Sequence, residues 1–143
     1  MITKRVSFFI IFLITFIAAV HGDEPRETDD FIPAITFERT CVDFGTINKN
    51  DGERNFEFRF ANTGNAPLVL TYVHASCSCV RLKYPRQPIA PGDSSSISGT
   101  LNLNTIHEQD FRRNILVRSN APSSQARLFL IGRITNTDSI VKK

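Results

Sequence analysis

The stretch from Asn62 to Val80, Asn-Thr-Gly-Asn-Ala-Pro-Leu-Val-Leu-Thr-Tyr-Val-His-Ala-Ser-Cys-Ser-Cys-Val, holds the clearest turn, an unusually apolar strand and two of the three cysteines. Asn62-Thr63-Gly64-Asn65 supplies residues that tolerate positive φ, and Pro67 disfavours helix at Ala66. The spacing predicts a strand beginning near Leu68. Leu68, Leu70, Tyr72 and His74 fall on one parity, while Val69, Thr71, Val73, Ala75, Cys77 and Cys79 fall on the other. Apolar residues on both parities predict a central strand covered on both faces.

Upstream of this stretch, Phe56, Phe58 and Phe60 alternate with Glu57, Arg59 and Ala61. That pattern predicts a half-buried strand whose rings anchor the core. Asn50-Asp51-Gly52 before it carries the D-G pair of a hairpin. Earlier still, Ile35 and Phe37 alternate in one phase, and Val42, Phe44 and Thr46 in another. The break near Arg39 to Cys41 predicts a bulge, a kink or a strand changing sheets.

Downstream, Tyr84 to Asp93 is too rich in proline for a central strand and ends in a Pro91-Gly92 turn. Ile97, Gly99, Leu101 and Leu103 then alternate with polar residues. Thr105 to Asp110 reads as a polar connection. A further strand follows through Phe111, Arg113, Ile115 and Val117, then a turn at Asn120-Ala121-Pro122 and an apolar segment over 126–134. About seven short strands with no helical period predict an all-β fold, a single antiparallel immunoglobulin-like β-sandwich, with a barrel as the structural rival. The expected core comprises Phe44, Phe56, Phe58, Phe60, Leu68, Leu70, Leu101, Ile115 and Leu130.

The chain has 143 residues, 41% hydrophobic and 22% charged, with no tryptophan, a profile for one globular domain. Lys4 and Arg5 precede an apolar run from Val6 to Val20, short of the roughly 20 residues that span a bilayer. This predicts a signal peptide over 1–22, cut after Val20-His21-Gly22, with an uncleaved anchor as the competing reading. No cysteine beside the cut supports a lipid anchor. A flexible acidic leader is expected over 23–31, the sandwich over 32–136 and a tail over 137–143. Lys4 and Arg5 also carry two of the three net positive charges, so the exported part is nearly neutral. No basic run denser than Arg112-Arg113 marks a nucleic-acid site.

Five motifs occur in order: Ile35-Thr36-Phe37-Glu38, Asp43-Phe44-Gly45-Thr46-Ile47, Phe58-Arg59-Phe60-Ala61-Asn62-Thr63-Gly64-Asn65-Ala66-Pro67-Leu68, Ala75-Ser76-Cys77-Ser78-Cys79 and Ile89-Ala90-Pro91-Gly92. Together they resemble the exported bacterial family called Domain of Unknown Function fifteen-seventy-three, over nearly the whole of the chain after residue 22. The family is similar to immunoglobulin-like domains of the Hydin and major sperm protein kind. The resemblance implies a seven-stranded sandwich and a role in binding or scaffolding. This chain departs from the family in two places: Ser78 stands where a glycine is usual between the paired cysteines, and Cys41 is additional. Serine restricts the positive-φ conformations that ease a tight Cys77–Cys79 bridge.

Of the residues that could carry chemistry, His74 and His107 lack a nucleophile-elbow or zinc-protease pattern around them. Asp43, Asp51 and Asp93 read as turn or strand-end residues. His74-Ala75-Ser76-Cys77-Ser78-Cys79 is the one segment where a site is arguable. Two thiolates and an imidazole suit a soft metal such as Cu(I), disulfide exchange is a second reading, and passive buried thiols are a third. If the segment is extended, Cys77 and Cys79 share a face with Cα atoms about 6.5–7 Å apart, at the upper edge of disulfide separation. The expectation is a vicinal thiol pair, Cys77 and Cys79, reduced or reversibly oxidised and not locked to Cys41. The functional expectation is an exported, non-enzymatic interaction or envelope-scaffold module in the periplasm or at the cell surface. Its partner is a protein or envelope component, with no cofactor, no nucleic acid and no membrane span once the signal is removed. The alternative is a thiol site at Cys77 and Cys79, with or without His74.

Overall fold

The computed structural model describes residues 30–136. The expected signal peptide, nearly all of the leader and the C-terminal tail lie outside those residues. Eight strands form two four-stranded sheets: β1 (Ile35–Phe37), β2 (Cys41–Asn48), β3 (Glu53–Asn62), β4 (Leu70–Ala75), β5 (Val80–Lys83), β6 (Ser94–Asn102), β7 (Asp110–Ser119) and β8 (Gln125–Thr135). One sheet runs β1-β3-β6-β5 and the other β2-β8-β7-β4. The expected sandwich is therefore found, with eight strands and with one parallel pair, β2 beside β8, among antiparallel neighbours.

The phase break near Arg39 is a change of sheet. β1 pairs with β3, the chain turns at Glu38 to Thr40, and β2 joins β8 in the opposite layer. The Asn50-Asp51-Gly52 turn, expected to close a hairpin, instead carries the chain from β2 in one sheet to β3 in the other. A capping box at Asn48 and Asp51 forms a short 3₁₀ turn there. That turn redirects the chain where a two-residue loop would have folded it back.

Phe56, Phe58 and Phe60 lie in β3 and are buried as the alternation predicts. Leu68, Leu70, Leu101, Ile115 and Leu130 join them in the core. Phe44 does not: it is partly exposed and packs at the core margin, 6.4 Å from the Phe111 ring between centroids. Ile47, nearer the end of β2, is the buried residue of that strand. The connection at 105–110 is also less polar in role than expected, since Leu103 just before it and Ile106 within it are almost fully buried.

Asn62 closes the β3 end of the core. It continues the inward parity of the three phenylalanines and is fully buried. Its Nδ2 donates to the carbonyls of Ala66 (2.7 Å) and Ile89 (2.9 Å), and its Oδ1 accepts from the N–H groups of Gly64 (3.1 Å) and Ala34 (3.4 Å). One amide thus ties together three loops whose backbone would otherwise lack partners.

The apolar stretch from Leu68 is not one central strand. β4 stops at Ala75 and is an outer strand of its sheet, and the chain resumes as β5 at the edge of the other sheet. A register shift between Leu70 and Tyr72 explains the misleading parity. The bulge puts Thr71 and Tyr72 both toward solvent and returns Val73 and Ala75 to the core, so apolar residues on both parities reflect one irregularity and not two covered faces.

Candidate functional site

β4 delivers the His74–Cys79 segment to the edge of the sandwich. Beyond Ala75 the pairing with β7 continues for one residue, through the Ser76 N–H to the Asn114 carbonyl (2.9 Å) and the Asn114 N–H to Ser76 Oγ (3.2 Å). The chain then turns through Cys77-Ser78-Cys79, with the Val80 N–H donating to the Cys77 carbonyl at 3.2 Å. The Asn102 N–H of β6 donates to the Cys79 carbonyl at 2.8 Å. This segment is consequently the crossing point between the edges of the two sheets.

The turn brings the Cα atoms of Cys77 and Cys79 to 5.1 Å, and a disulfide joins the two sulfurs. The 6.5–7 Å separation expected for extended backbone does not apply, because the segment is not extended. Ser78 accommodates the turn without positive φ, which among the described residues only glycines adopt. Cys79 is buried in the core cluster and donates its N–H to Cys77 Sγ at 3.1 Å, whereas Cys77 is half-buried. Cys41 is exposed and unpaired. It sits on β2, the opposite outer strand of the sheet from β4, about 14 Å away at ordinary strand spacing.

His74 lies on the solvent side of β4, where its ring stacks on Tyr72 with centroids 5.7 Å apart. The Arg118 guanidinium lies over the other aromatic partner, Tyr72, at 5.7 Å. A shallow depression of about 340 Å³ opens on the other side of His74, bordered also by Ser76, Cys77, Ser78 and Leu82. Among the described residues, no three His, Cys, Asp or Glu side chains come together as a metal site would require.

The other residues singled out from the sequence lie apart. His107 is exposed in the β6–β7 connection beside a separate depression. Asp43 accepts from the Gly45 N–H at 2.8 Å, and Asp51 caps the 3₁₀ turn and pairs with Arg54. Asp110, which the alternation does not distinguish, takes a two-pronged bond from Arg133 at 2.6 and 3.1 Å. Those bonds hold its carboxyl below the usual carboxylate range and raise the guanidinium in turn. No helix among the described residues is long and apolar enough to cross a membrane.

A family model described as Protein of unknown function (DUF1573) matches residues 35–134. No curated protein matches the sequence. Among solved structures, a protein of unknown function from Porphyromonas gingivalis W83 is 20% identical with a TM-score of 0.65, and the match covers 78% of this chain and 51% of that one. The chain therefore spans about half the length of that protein. The PapD-like domain 7 of human CEP192 is 10% identical with a TM-score of 0.58, covering 71% of this chain and 85% of the domain. A chaperone-tip adhesion subunit pre-assembly complex, CsuC-CsuE, from the Csu pili of Acinetobacter baumannii matches at 13% identity and a TM-score of 0.51, over 71% of this chain and 57% of that one. At these identities the likeness is one of fold.

Proposed function

The chain belongs to the family described as Protein of unknown function (DUF1573), and from that membership and the geometry above we propose that it is a non-enzymatic interaction module, exported to the periplasm or cell surface, that holds a protein partner. What carries this reading is the outer strand β4. It leaves one side of its backbone outside the sheet's ladder and presents Tyr72, 44% exposed and stacked on His74, which in turn borders the depression at the disulfide turn. An unpaired strand edge with an aromatic anchor is a common way for one chain to receive another. The PapD-like and chaperone-complex neighbours support the same class of role by their fold.

A second reading rests on the half-exposed sulfur. An incoming thiolate of a dithiol protein would attack Cys77 Sγ, form a mixed disulfide and release Cys79 as the thiolate. Capture of partners from the native envelope by wild type, by Cys77→Ser/Cys79→Ser and by Tyr72→Ala separates the two. An interaction module keeps its partner without the sulfurs and loses it with Tyr72. Loss of the partner on removing the sulfurs alone, with the fold intact, refutes the interaction reading in favour of exchange.

A further inference from the structure

The strand registers of the β2-β8-β7-β4 sheet build a solvent face that no sequence neighbourhood shows. Tyr72, Arg118 and Gln125 form one row across three strands, and His74, Leu116 and Arg127 form the next. Further along, Phe129 lies between Asn114 and Cys41, and Ile131 between Arg112 and Asp43. Arg112, Arg118 and Arg127 are all exposed, and none makes an ion pair with a described residue. Arg112 lies over the Phe129 ring at 4.2 Å and Arg118 over Tyr72 at 5.7 Å, so two of the three lean on aromatic rings.

The acids bordering this face are already engaged. Asp110 is bonded to Arg133, and the Asp43 carboxylate accepts from Gly45. The solvent face of the other sheet is different. Its Arg59 pairs with Glu57 at 3.2 Å and its Arg81 with Glu53 at 3.6 Å, among serines and threonines. Among the described residues, Arg112, Arg118 and Arg127 thus stand without an ion pair on a face where Arg133 is held by Asp110, whereas Arg59 and Arg81 of the other face are both paired.

We infer that the β2-β8-β7-β4 face is a docking surface for an extended acidic segment of a partner protein. This rests on the interaction-module reading and names the chemistry of its partner. Arg112 and Arg118 stand six residues apart on β7, a span of about 20 Å, which an extended segment of about six residues matches. Guanidinium groups bond carboxylates two-pronged, and the contacts with Phe129 and Tyr72 restrict where Arg112 and Arg118 can lie before the partner arrives. Half-buried Leu116, Phe129 and Ile131 fill the spaces between the charges. Arginine and aromatic side chains around an apolar centre are the composition of protein-recognition surfaces, and a polysaccharide would leave the aliphatic residues unused.

The test is fluorescence anisotropy of the purified protein with a labelled peptide of about ten alternating Glu and Val residues, against the same peptide with Lys for Glu and against a sulfated dextran. The acidic peptide should bind at low salt and weaken steeply toward about 0.5 M salt, with the Lys peptide silent. Arg112→Gln/Arg118→Gln/Arg127→Gln should weaken it at least about tenfold, since three exposed pairs contribute a few-fold each. Arg59→Gln/Arg81→Gln on the opposite face should change it less than about twofold. If the triple variant melts early, Arg127→Gln alone must both weaken binding and flatten the salt dependence. Equal binding by wild type and triple variant, or binding of the dextran with the acidic peptide silent, overturns the inference. An envelope partner retained by the triple variant but lost with Tyr72→Ala overturns this surface and leaves the interaction module standing.

Discussion

Replacing Asn62 with alanine should cost the domain about 3 kcal/mol, although the change removes a side chain with almost no apolar surface. Four hydrogen bonds disappear. The Ile89 carbonyl keeps the Leu68 N–H at 2.9 Å, so it is not orphaned. The Ala66 carbonyl and the N–H groups of Gly64 and Ala34 lose the only partner seen for them among the described residues. A buried polar group left unpaired costs about 1–3 kcal/mol. Gly64 and Ala34 are only half-buried and can recruit water, so the Ala66 carbonyl supplies most of the loss. Against a typical net stability of about 5–15 kcal/mol this is a large fraction. Urea melts followed by circular dichroism measure it, since the chain has no tryptophan. Asn62→Asp sharpens the test: it keeps the acceptor but points a carboxylate at two carbonyls. Burial and those carbonyls would raise that carboxyl's folded pKa above its unfolded value, so the variant's deficit should be greatest near pH 7 and shrink as pH falls toward about 4. A loss under about 0.5 kcal/mol for the alanine variant, or an aspartate variant as stable as wild type at pH 7, would refute the view that this amide fastens the loops.

Phe58→Ala, at a fully buried ring, should lower stability by about 3–5 kcal/mol in the same melts, and a loss well under 1 kcal/mol would show the ring is not where β3 places it. Thiol titration in denaturant without reductant should find Cys41 alone reactive, and unreduced peptide mapping should recover Cys77 and Cys79 linked; a Cys41–Cys77 or Cys41–Cys79 peptide contradicts both. By NMR titration, Asp110 should ionise below the usual carboxylate range and return toward it in Arg133→Gln. Because its folded pKa is depressed, the Asp110–Arg133 contribution is present above the ordinary carboxylate pKa and fades as pH falls through the lowered value; an Asp110 titration indifferent to Arg133 would be the failing result.

Much of the architecture was legible because alternation is a local property. The β3 phenylalanines, the Pro91-Gly92 turn and the phase break near Arg39 can all be read within a few residues, although the break alone does not separate a change of sheet from a bulge or a kink. The Thr71 bulge was not legible, since a bulge preserves composition while shifting phase, and it made an outer strand resemble a central one. The Asp51-Gly52 pair specifies a turn but not which sheet receives the next strand. Asn62 carries a readable signal, since it continues the inward parity of Phe56, Phe58 and Phe60, but an Asn-Thr-Gly-Asn sequence is equally that of a plain turn. The disulfide depended on a turn that the extended reading excluded. The arginine face was beyond reach, because Arg112-Arg113 looks like the cluster, while the structure turns Arg113 toward Glu108 and aligns Arg112 with residues on other strands.

The parallel seam between β2 and β8 sets the order in which the molecule can be completed. Cys41 aligns with Phe129 and Asn48 with Thr135, so β2 waits for a strand far along the chain before it has a neighbour. β7, too, takes one of its two neighbours from β8. Such distant pairings are slow to form, on the order of milliseconds to seconds for sandwich folds. Until residues 125–135 emerge, half of the sandwich is a single β4–β7 ribbon, and the β2 backbone is open to any passing strand. β8 thus acts as a latch: a nascent chain arrested before Gln125 would present two sticky edges, and truncation there should yield aggregate where loss of the short β1 would only fray a border.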